Sequence, residues 1–378
     1  MDYLYYLIPA FLLTLAILVL WFAARRMRSP ATATQPLWRK AAERILLTVA
    51  AMCLLAVAVC GVYNAIAIHR FRAANPPLGQ LYSVHGRWMH LYCIGAGGPT
   101  IVLEAGLGTS SDVLSWIPLQ TKLARYSRVC SYDRAGIGWS ESADTPRDAD
   151  HIASELHALL TEAGVRPPFV FVGLSRGGIY IRDYRAHYRG EVAGLVLVDS
   201  STPYQEQRLH PNAGSREWAI AVLDAQYVLG LARLHGWCGH ASPGPDRRYA
   251  DALAEDDCIA YWASVREYLA ERETDAEVAL APPLGTLPVL IISRDPSRVL
   301  ARPNASPDEV AREQVWNSMQ EGLKDLSTHS QRIIARGSGH GVADAREELI
   351  VREVGRIVEQ IRGGAASEPT DYRTTVVE

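Results

Sequence analysis

The sequence predicts an α/β fold in which a mostly parallel sheet of eight strands carries helices on both faces, attached to two N-terminal transmembrane helices. From residue 78 onward, short apolar segments alternate with amphipathic helical segments, which is the pattern of a parallel sheet buried between helices. Ahead of them lie two uncharged apolar runs, residues 3–24 and 45–68. A helix of about 20 such residues crosses the ~30 Å hydrocarbon core of a membrane.

Residues 1–72 are therefore expected to form a membrane anchor. A cleavable signal peptide fits the first run poorly, because Asp2 is the only charged residue ahead of it, whereas signal peptides begin with a positive segment. The alternative of two helices buried in a soluble core is disfavoured by the length of both runs. The chain is thus predicted to contact the lipid bilayer through two spans.

The linker between the two runs predicts which side of the membrane each part occupies. Its basic residues are Arg25, Arg26, Arg28, Arg39, Lys40 and Arg44, against the single acid Glu43. The positive-inside rule places this linker in the cytoplasm and everything after residue 68 outside it. Arg70 and Arg72, just beyond the second run, oppose that orientation. The expected location is a multi-pass protein of the cell membrane with an extracytoplasmic body.

The body is expected to span residues 78–363, followed by a disordered tail over 364–378. Strands are predicted at 81–84, 87–93, 100–104, 128–132, 169–173, 194–199, 288–293 and 332–336, and helices at 111–126, 151–164, 307–326 and 346–362. Residues 201–286 contain helical pieces at 216–231 and 247–272 but no convincing strand. A segment this long is predicted to be a helical lid inserted between two strands.

Composition excludes some classes of protein. The 378 residues are 48% hydrophobic and 21% charged, with a net charge of −3, so a large core is available and a basic nucleic-acid-binding surface is not indicated. Only three of the 38 basic residues are lysines, which suggests a GC-rich bacterial genome.

Six cysteines are present, without the paired spacing of a zinc site. Cys93 and Cys130, on predicted strands, are expected to be buried free thiols. A bridge between Cys238 and Cys258 in the predicted lid is left open, since an extracytoplasmic body would permit one.

One motif indicates nucleophilic chemistry. The strand at 169–172 runs into Gly173-Leu174-Ser175-Arg176-Gly177, which contains G-x-S-x-G. In a strand–turn–helix context this pattern raises a serine Oγ above the sheet on a sharp turn, because glycines on either side let the strand and helix pack closely. The simpler alternative is an ordinary glycine-rich turn. His340, in Gly339-His340-Gly341 after the last predicted strand, is the natural base.

Taken together, these features resemble an α/β-hydrolase-fold serine hydrolase over most of residues 79–362. The resemblance rests on Val-Leu-Glu-Ala-Gly-Leu-Gly at 102–108, Tyr-Asp-Arg-Ala-Gly-Ile-Gly-Trp-Ser at 132–140, the turn at Ser175, and His340. It implies that Ser175 attacks a carbonyl and that His340 takes its proton. It also implies that the backbone N–H groups of Leu107 and Arg176 hold the oxyanion.

Two departures from the family pattern stand close to these positions. The turn after the third strand has Ala105-Gly106 where many relatives have His-Gly, and Leu174 stands where a histidine is common. The turn is therefore matched by position and not by residue identity.

Two aspartates compete for the role of the triad acid. Asp295 follows the strand after which the family most often places its acid, but it arrives about two residues early. Asp199 ends the preceding strand, where some relatives carry the acid and many carry a non-catalytic aspartate. Either carboxylate would orient His340, and both remain open at this stage.

The resemblance implies a serine hydrolase that cleaves a small-molecule carboxylic ester, with no metal, no cofactor and no protein or nucleic-acid partner. The two apolar runs add a membrane anchor, and a substrate near the bilayer could be lipid-like. A cofactor-free haloperoxidase or an acyltransferase could use the same residues. A non-catalytic, membrane-tethered binding module on the same fold is a second class of function.

Overall fold

The computed structural model describes residues 4–28, 36–108, 112–210, 222, 225–227, 229–238, 259–363 and 374–378. The chain divides into two units, Met1–Pro76 with Glu217–Trp262, and Pro77–Arg216 with Ala263–Glu378.

The strands are β1 Gln80–Val84, β2 Arg87–Ile94, β3 Thr100–Glu104, β4 Val129–Tyr132, β5 Phe169–Leu174, β6 Val192–Val198, β7 Val289–Arg294, β8 Ser330–Ala335 and β9 Thr375–Val377. The helices are α1 Leu4–Met27, α2 Leu37–Ala74, α3 Asp112–Leu123, α4 Ala149–Glu162, α5 Gly177–His187, α6 Gln205–Leu209, α7 Leu231–Leu234, α8 Glu271–Ala279, α9 Ser297–Leu300, α10 Pro307–Gly322, α11 Val342–Ala345 and α12 Glu347–Gly363. Residues 259–269 are also helical.

Within the described residues of the second unit, the nine strands form one sheet in the order β1-β2-β4-β3-β5-β6-β7-β8-β9. β2 pairs antiparallel with β1 and with β4, and every other pairing is parallel. All residues of β3 and β4, and nearly all of β5 and β6, are buried, since helices cover both faces of the central strands. The predicted fold class is confirmed.

The ninth strand was not expected. Thr375–Val377 adds β9 to the sheet edge beside β8, with Thr375 opposite Arg332, whereas the sequence predicts a disordered tail over 364–378. Its Thr-Val-Val sequence is β-branched throughout, which suits a pleated edge strand better than the polar residues before it. Residues 364–373 lie outside the described part of the chain.

The oxidation state of the cysteines in β2 and β4 differs from the prediction. Cys93 and Cys130 form a disulfide, although both are predicted to be free thiols. The reason is the register, because the two residues lie directly opposite each other on neighbouring antiparallel strands. Cys238 is also disulfide-bonded, while Cys258 lies outside the described residues.

Among its described residues, the first unit contains two helices long and apolar enough to cross a membrane. Only 17% of the residues in the most apolar window of each helix are buried, unlike the core helices of a soluble protein. α1 and α2 pack closely at Gly61, where an added Cβ would lie 2.5 Å from Cγ of Pro9. α2 has 38 residues, which at 1.5 Å per residue gives about 57 Å, more than the hydrocarbon core needs.

Part of the predicted lid belongs to this first unit. Asn64, near the C-terminal end of α2, is 1% exposed. Its Oδ1 accepts a hydrogen bond from Nε of Arg233 at 2.9 Å, and its Nδ2 donates to the backbone oxygen of Tyr227 at 3.3 Å. The stretch 201–286 is therefore divided, since 217–262 groups with the apolar helices and the remainder with the sheet.

Candidate active site

Ser175 lies on the sharp turn between β5 and α5. Its φ of 51° falls in the left-handed region that L-residues rarely adopt, as the strained turn of a G-x-S-x-G motif requires. The two glycines of the motif are sterically required. A Cβ at Gly173 would lie 2.7 Å from the backbone of Gly177, and one at Gly177 would lie 2.4 Å from the backbone oxygen of Glu104.

Ser175, His340 and Asp199 form one hydrogen-bonded chain. Nε2 of His340 lies 3.1 Å from Oγ of Ser175, and Nδ1 of His340 lies 2.6 Å from Oδ2 of Asp199. The carboxylate can only accept on that side, so Nδ1 carries the proton and Nε2 is left to accept from the serine hydroxyl. The arrangement can move a proton from Ser175 to His340.

Asp199 is fully buried at the end of β6. Its Oδ1 accepts hydrogen bonds from Nε1 of Trp316 at 3.0 Å and from the backbone N–H of Arg294 at 3.1 Å. The Trp316 ring also meets His340 edge-on, with 5.6 Å between ring centres. Sequence reasoning missed Trp316 as a partner of Asp199, because this tryptophan lies in the middle of α10 with no motif around it. It also missed the backbone N–H of Arg294.

Asp295 is the other candidate for the triad acid. In the hydrogen-bond network of the described residues, it does not bond His340. Its two carboxylate oxygens accept from the backbone N–H groups of Ser297 at 2.9 Å and of Gly337 at 2.8 Å. Burial opposes ionisation, but these hydrogen bonds outweigh it and lower the pKa of Asp295 below its ordinary value. Asp295 thus ties the end of β7 to the loop that carries His340.

The two turns that carry the expected oxyanion-hole residues meet at Ser175. Arg176 follows the serine directly, and Gly106 lies close enough that an added Cβ would be 3.1 Å from Cβ of Ser175. Leu107 is the next residue in that turn and is 40% exposed. The absence of a Cβ at Gly106 lets the turn approach the serine.

A buried arginine fixes this turn. The Arg134 side chain, 1% exposed, donates to the backbone oxygen of Ala105 at 3.0 Å and to that of Gly106 at 2.7 Å. The same guanidinium is held by Glu104 at 3.0 Å and by Glu267 at 2.9 Å. Arg134 therefore connects buried carboxylates to the backbone that borders Ser175.

The charged groups around Arg134 are buried and shift one another's pKa values. Burial raises the pKa of Glu104 to about 7, against the lowering influence of Arg134. Burial also raises the pKa of Asp112, whose Oδ2 lies 3.3 Å from the guanidinium. Burial disfavours the charge on Arg134, but the surrounding carboxylates outweigh it and raise its pKa above the ordinary value. The arginine stays charged.

A cavity of about 440 Å³ opens beside Ser175 and His340. Its walls combine apolar side chains, such as Val299 and Trp316, with charged ones, such as Arg312. Some charges on the wall are paired with each other, such as Glu313, which is bound by Arg294 at 2.6 Å. The described lining is therefore mixed and not a purely apolar channel.

Among the residues that the structure describes, the group able to share a metal ion is Asp150, Asp183 and His187. It contains none of the residues of the Ser175 site.

Comparison with known proteins agrees with the fold. The model of the alpha/beta hydrolase family matches residues 84–353. An AB hydrolase superfamily protein of Gibberella zeae is 28% identical over 286 residues, covering 70% of this chain and 87% of the relative. A non-heme haloperoxidase of Rhodococcus erythropolis is 33% identical over 162 residues, covering 40% of this chain and 57% of that protein. An esterase structure from Exiguobacterium antarcticum superposes with a TM-score of 0.55 at 18% identity, covering 75% of this chain and all of the esterase chain.

Proposed function

The chain belongs to the alpha/beta hydrolase family, and we propose that it is a serine hydrolase that cleaves a carboxylic ester through an acyl-enzyme intermediate. The observation that carries this proposal is the hydrogen-bonded chain from Ser175 through His340 to Asp199. Its distances of 3.1 and 2.6 Å are those of a nucleophile within reach of a base, and of a base oriented by a buried acid.

In the proposed reaction, Ser175 Oγ attacks the ester carbonyl while His340 Nε2 takes the serine proton. The C–O bond of the ester breaks, His340 returns the proton to the departing alcohol, and the acyl group remains on Ser175. A water molecule, deprotonated by His340, then releases the carboxylic acid and restores the serine. The N–H groups of Leu107 and Arg176 stabilise the oxyanion in both steps. Asp199 keeps the Nδ1–H tautomer and stabilises the imidazolium.

A fluorophosphonate probe tests the proposal, since it reacts only with an activated serine nucleophile. We expect the full-length chain to be labelled and Ser175→Ala to remain unlabelled, as measured by gel fluorescence. Ser83→Ala, at an exposed serine of β1, is the matched control and should label like the unchanged protein. Failure of the unchanged chain to react would favour a binding module instead.

The cavity favours a short, polar ester over a long-chain lipid. A long alkyl chain would have to cover charged groups such as Arg312, which would lose water without gaining a partner. We expect kcat/KM for p-nitrophenyl esters to fall by about tenfold or more from the butanoate to the dodecanoate, since 1.4 kcal/mol of lost transition-state binding gives that factor. A rise with chain length would support the lipid-like substrate.

We further propose that α1 and α2 anchor the enzyme in a membrane, with its body outside the cytoplasm. The length and apolar composition of the two helices support anchoring. The Cys93–Cys130 disulfide supports an oxidising compartment, and the basic linker supports the orientation. Alkaline phosphatase fused to the C-terminus should be active in cells, whereas activity only from a fused cytoplasmic reporter would reverse the orientation.

A cofactor-free haloperoxidase is the second candidate, favoured by the 33% identity to the Rhodococcus erythropolis haloperoxidase. In that reaction hydrogen peroxide replaces water in releasing an acyl group from Ser175, and the peracid formed oxidises bromide. Bromination of monochlorodimedone that requires both acetate and peroxide, at a rate exceeding ester hydrolysis, would favour this reading.

A further inference from the structure

Three side chains that ester hydrolysis does not use converge where α4 and α5 pack together. Asp150 lies in the first turn of α4, and Asp183 and His187 are four residues apart in the last turns of α5. Nε2 of His187 lies 2.8 Å from Oδ1 of Asp150 and 3.5 Å from Oδ2 of Asp183. All three ligand atoms lie within 4.8 Å of one another, so a small movement would bring them to the coordination distances of one ion.

The buried carboxylate of Asp183 is the unusual member of this group. Its side chain is 2% exposed, and its Oδ2 has no hydrogen-bond partner. His187 does not supply one, because Nε2 donates its proton to Asp150 at the shorter distance. A buried carboxylate oxygen without a hydrogen bond is strongly unfavourable. The imidazole of His187, 3.5 Å from Oδ2, is shared with Asp150, so a cation bound closer to Oδ2 would compensate the carboxylate more fully.

A third acid adds to the negative charge. Oε2 of Glu277, in α8, accepts a hydrogen bond from the backbone N–H of Asp150 at 3.2 Å. Burial raises the pKa of Asp183 above its ordinary value, and the charges of Asp150 and Glu277 raise it further. Three acids thus surround one imidazole, and a divalent cation would relieve their repulsion more fully than a single shared proton.

We propose that Asp150, Asp183 and His187 bind one zinc ion. Zinc accepts imidazole nitrogen and carboxylate oxygen in a four-coordinate site, and water would complete the shell. Calcium and magnesium prefer oxygen ligands alone, so the imidazole favours zinc over them. The spacing of Asp183 and His187 places both on one face of α5, as in helical zinc sites with ligands four residues apart. Binding releases the proton from Nε2 of His187.

The role of this ion would be structural. Ser175 precedes the N-terminal end of α5 and His187 ends it, so the two are about 18 Å apart along the helix. At that distance the ion takes no part in ester cleavage. It would instead join α4 to α5, and the proposal stands whether or not the serine is catalytic.

Zinc binding by the full-length, tag-free chain in detergent, after EDTA and dialysis, tests this inference. We expect one zinc ion per chain in competition with a chromophoric chelator, and a higher unfolding midpoint with zinc than without it. His187→Ala and Asp150→Ala remove exposed ligands and should weaken binding by about 100-fold or more. His151→Ala is the matched control, since His151 pairs with Asp148 in the same turn of α4 and should leave binding unchanged.

Two results would overturn the proposal. One is the absence of zinc binding by the folded, unchanged chain. The other is equal zinc binding by His187→Ala, Asp150→Ala and the unchanged chain, which would assign the ion to another place. In the first case, the imidazole of His187, 3.5 Å from Oδ2, is the group that compensates Asp183.

Discussion

Replacing Asp199 with asparagine is expected to lower kcat for ester hydrolysis by about 10⁴-fold, the loss found when the corresponding acid of a serine protease is changed to its amide. The amide can donate to Nδ1 of His340, which moves the imidazole proton to Nε2, where it can no longer accept from Ser175. The fold should tolerate the change, because the asparagine oxygen can still accept from Trp316 and from the N–H of Arg294.

Asp295→Asn is the matched control for that measurement. Asp295 accepts from the backbone N–H groups of Gly337 and Ser297, so its replacement should loosen the loop that carries His340 without altering the imidazole tautomer. We expect kcat to fall by about tenfold at most, since weakening one hydrogen bond costs roughly 1 kcal/mol. A loss of 10⁴-fold in Asp295→Asn with near-normal activity in Asp199→Asn would assign the acid to Asp295.

The choice between these two aspartates shows why a sequence predicts some parts of a site and not others. The turn at Ser175 is local, because its glycines, strand and helix are adjacent in the chain. The identity of the triad acid depends on which of two aspartates, at the ends of neighbouring strands, is directed at the loop of His340. That loop lies more than 40 residues farther along the chain. That is decided by side-chain direction. Asp199 turns towards His340, whereas the backbone N–H groups around Asp295 occupy both of its carboxylate oxygens.

The features that sequence reasoning missed are likewise non-local. The Cys93–Cys130 disulfide depends on the antiparallel register of β2 and β4, which apolar patterns do not specify. Glu267 lies in the C-terminal part of the predicted lid segment and forms a hydrogen-bonded ion pair with Arg134, far away in the sequence. The motif at 132–140 includes Arg134, and a basic residue inside an otherwise buried segment could have indicated a buried ion pair. The fold class was predictable because alternating apolar strands and helices repeat along the whole body.

Arg134→Lys is expected to lower kcat by about 100-fold while KM changes little. Lysine retains the positive charge among the buried carboxylates, but it cannot donate to Ala105, Gly106 and both glutamates at once, as the guanidinium does. The turn that carries Leu107 would then shift. Loss of one oxyanion donor costs about 10² to 10³ in kcat in a serine protease, which sets the size of the effect.

Arg147→Lys separates this positioning role from general stability. Arg147 is buried in the same cluster and bonds Glu155 at 2.7 Å, but its hydrogen bonds do not include the backbone around Gly106. Both replacements keep the positive charge but disturb the hydrogen bonds of a buried ion pair, so both should lower the unfolding midpoint. If positioning by Arg134 matters, only Arg134→Lys lowers kcat of the folded enzyme. Equal losses of kcat in the two variants would mean that the cluster acts through stability alone.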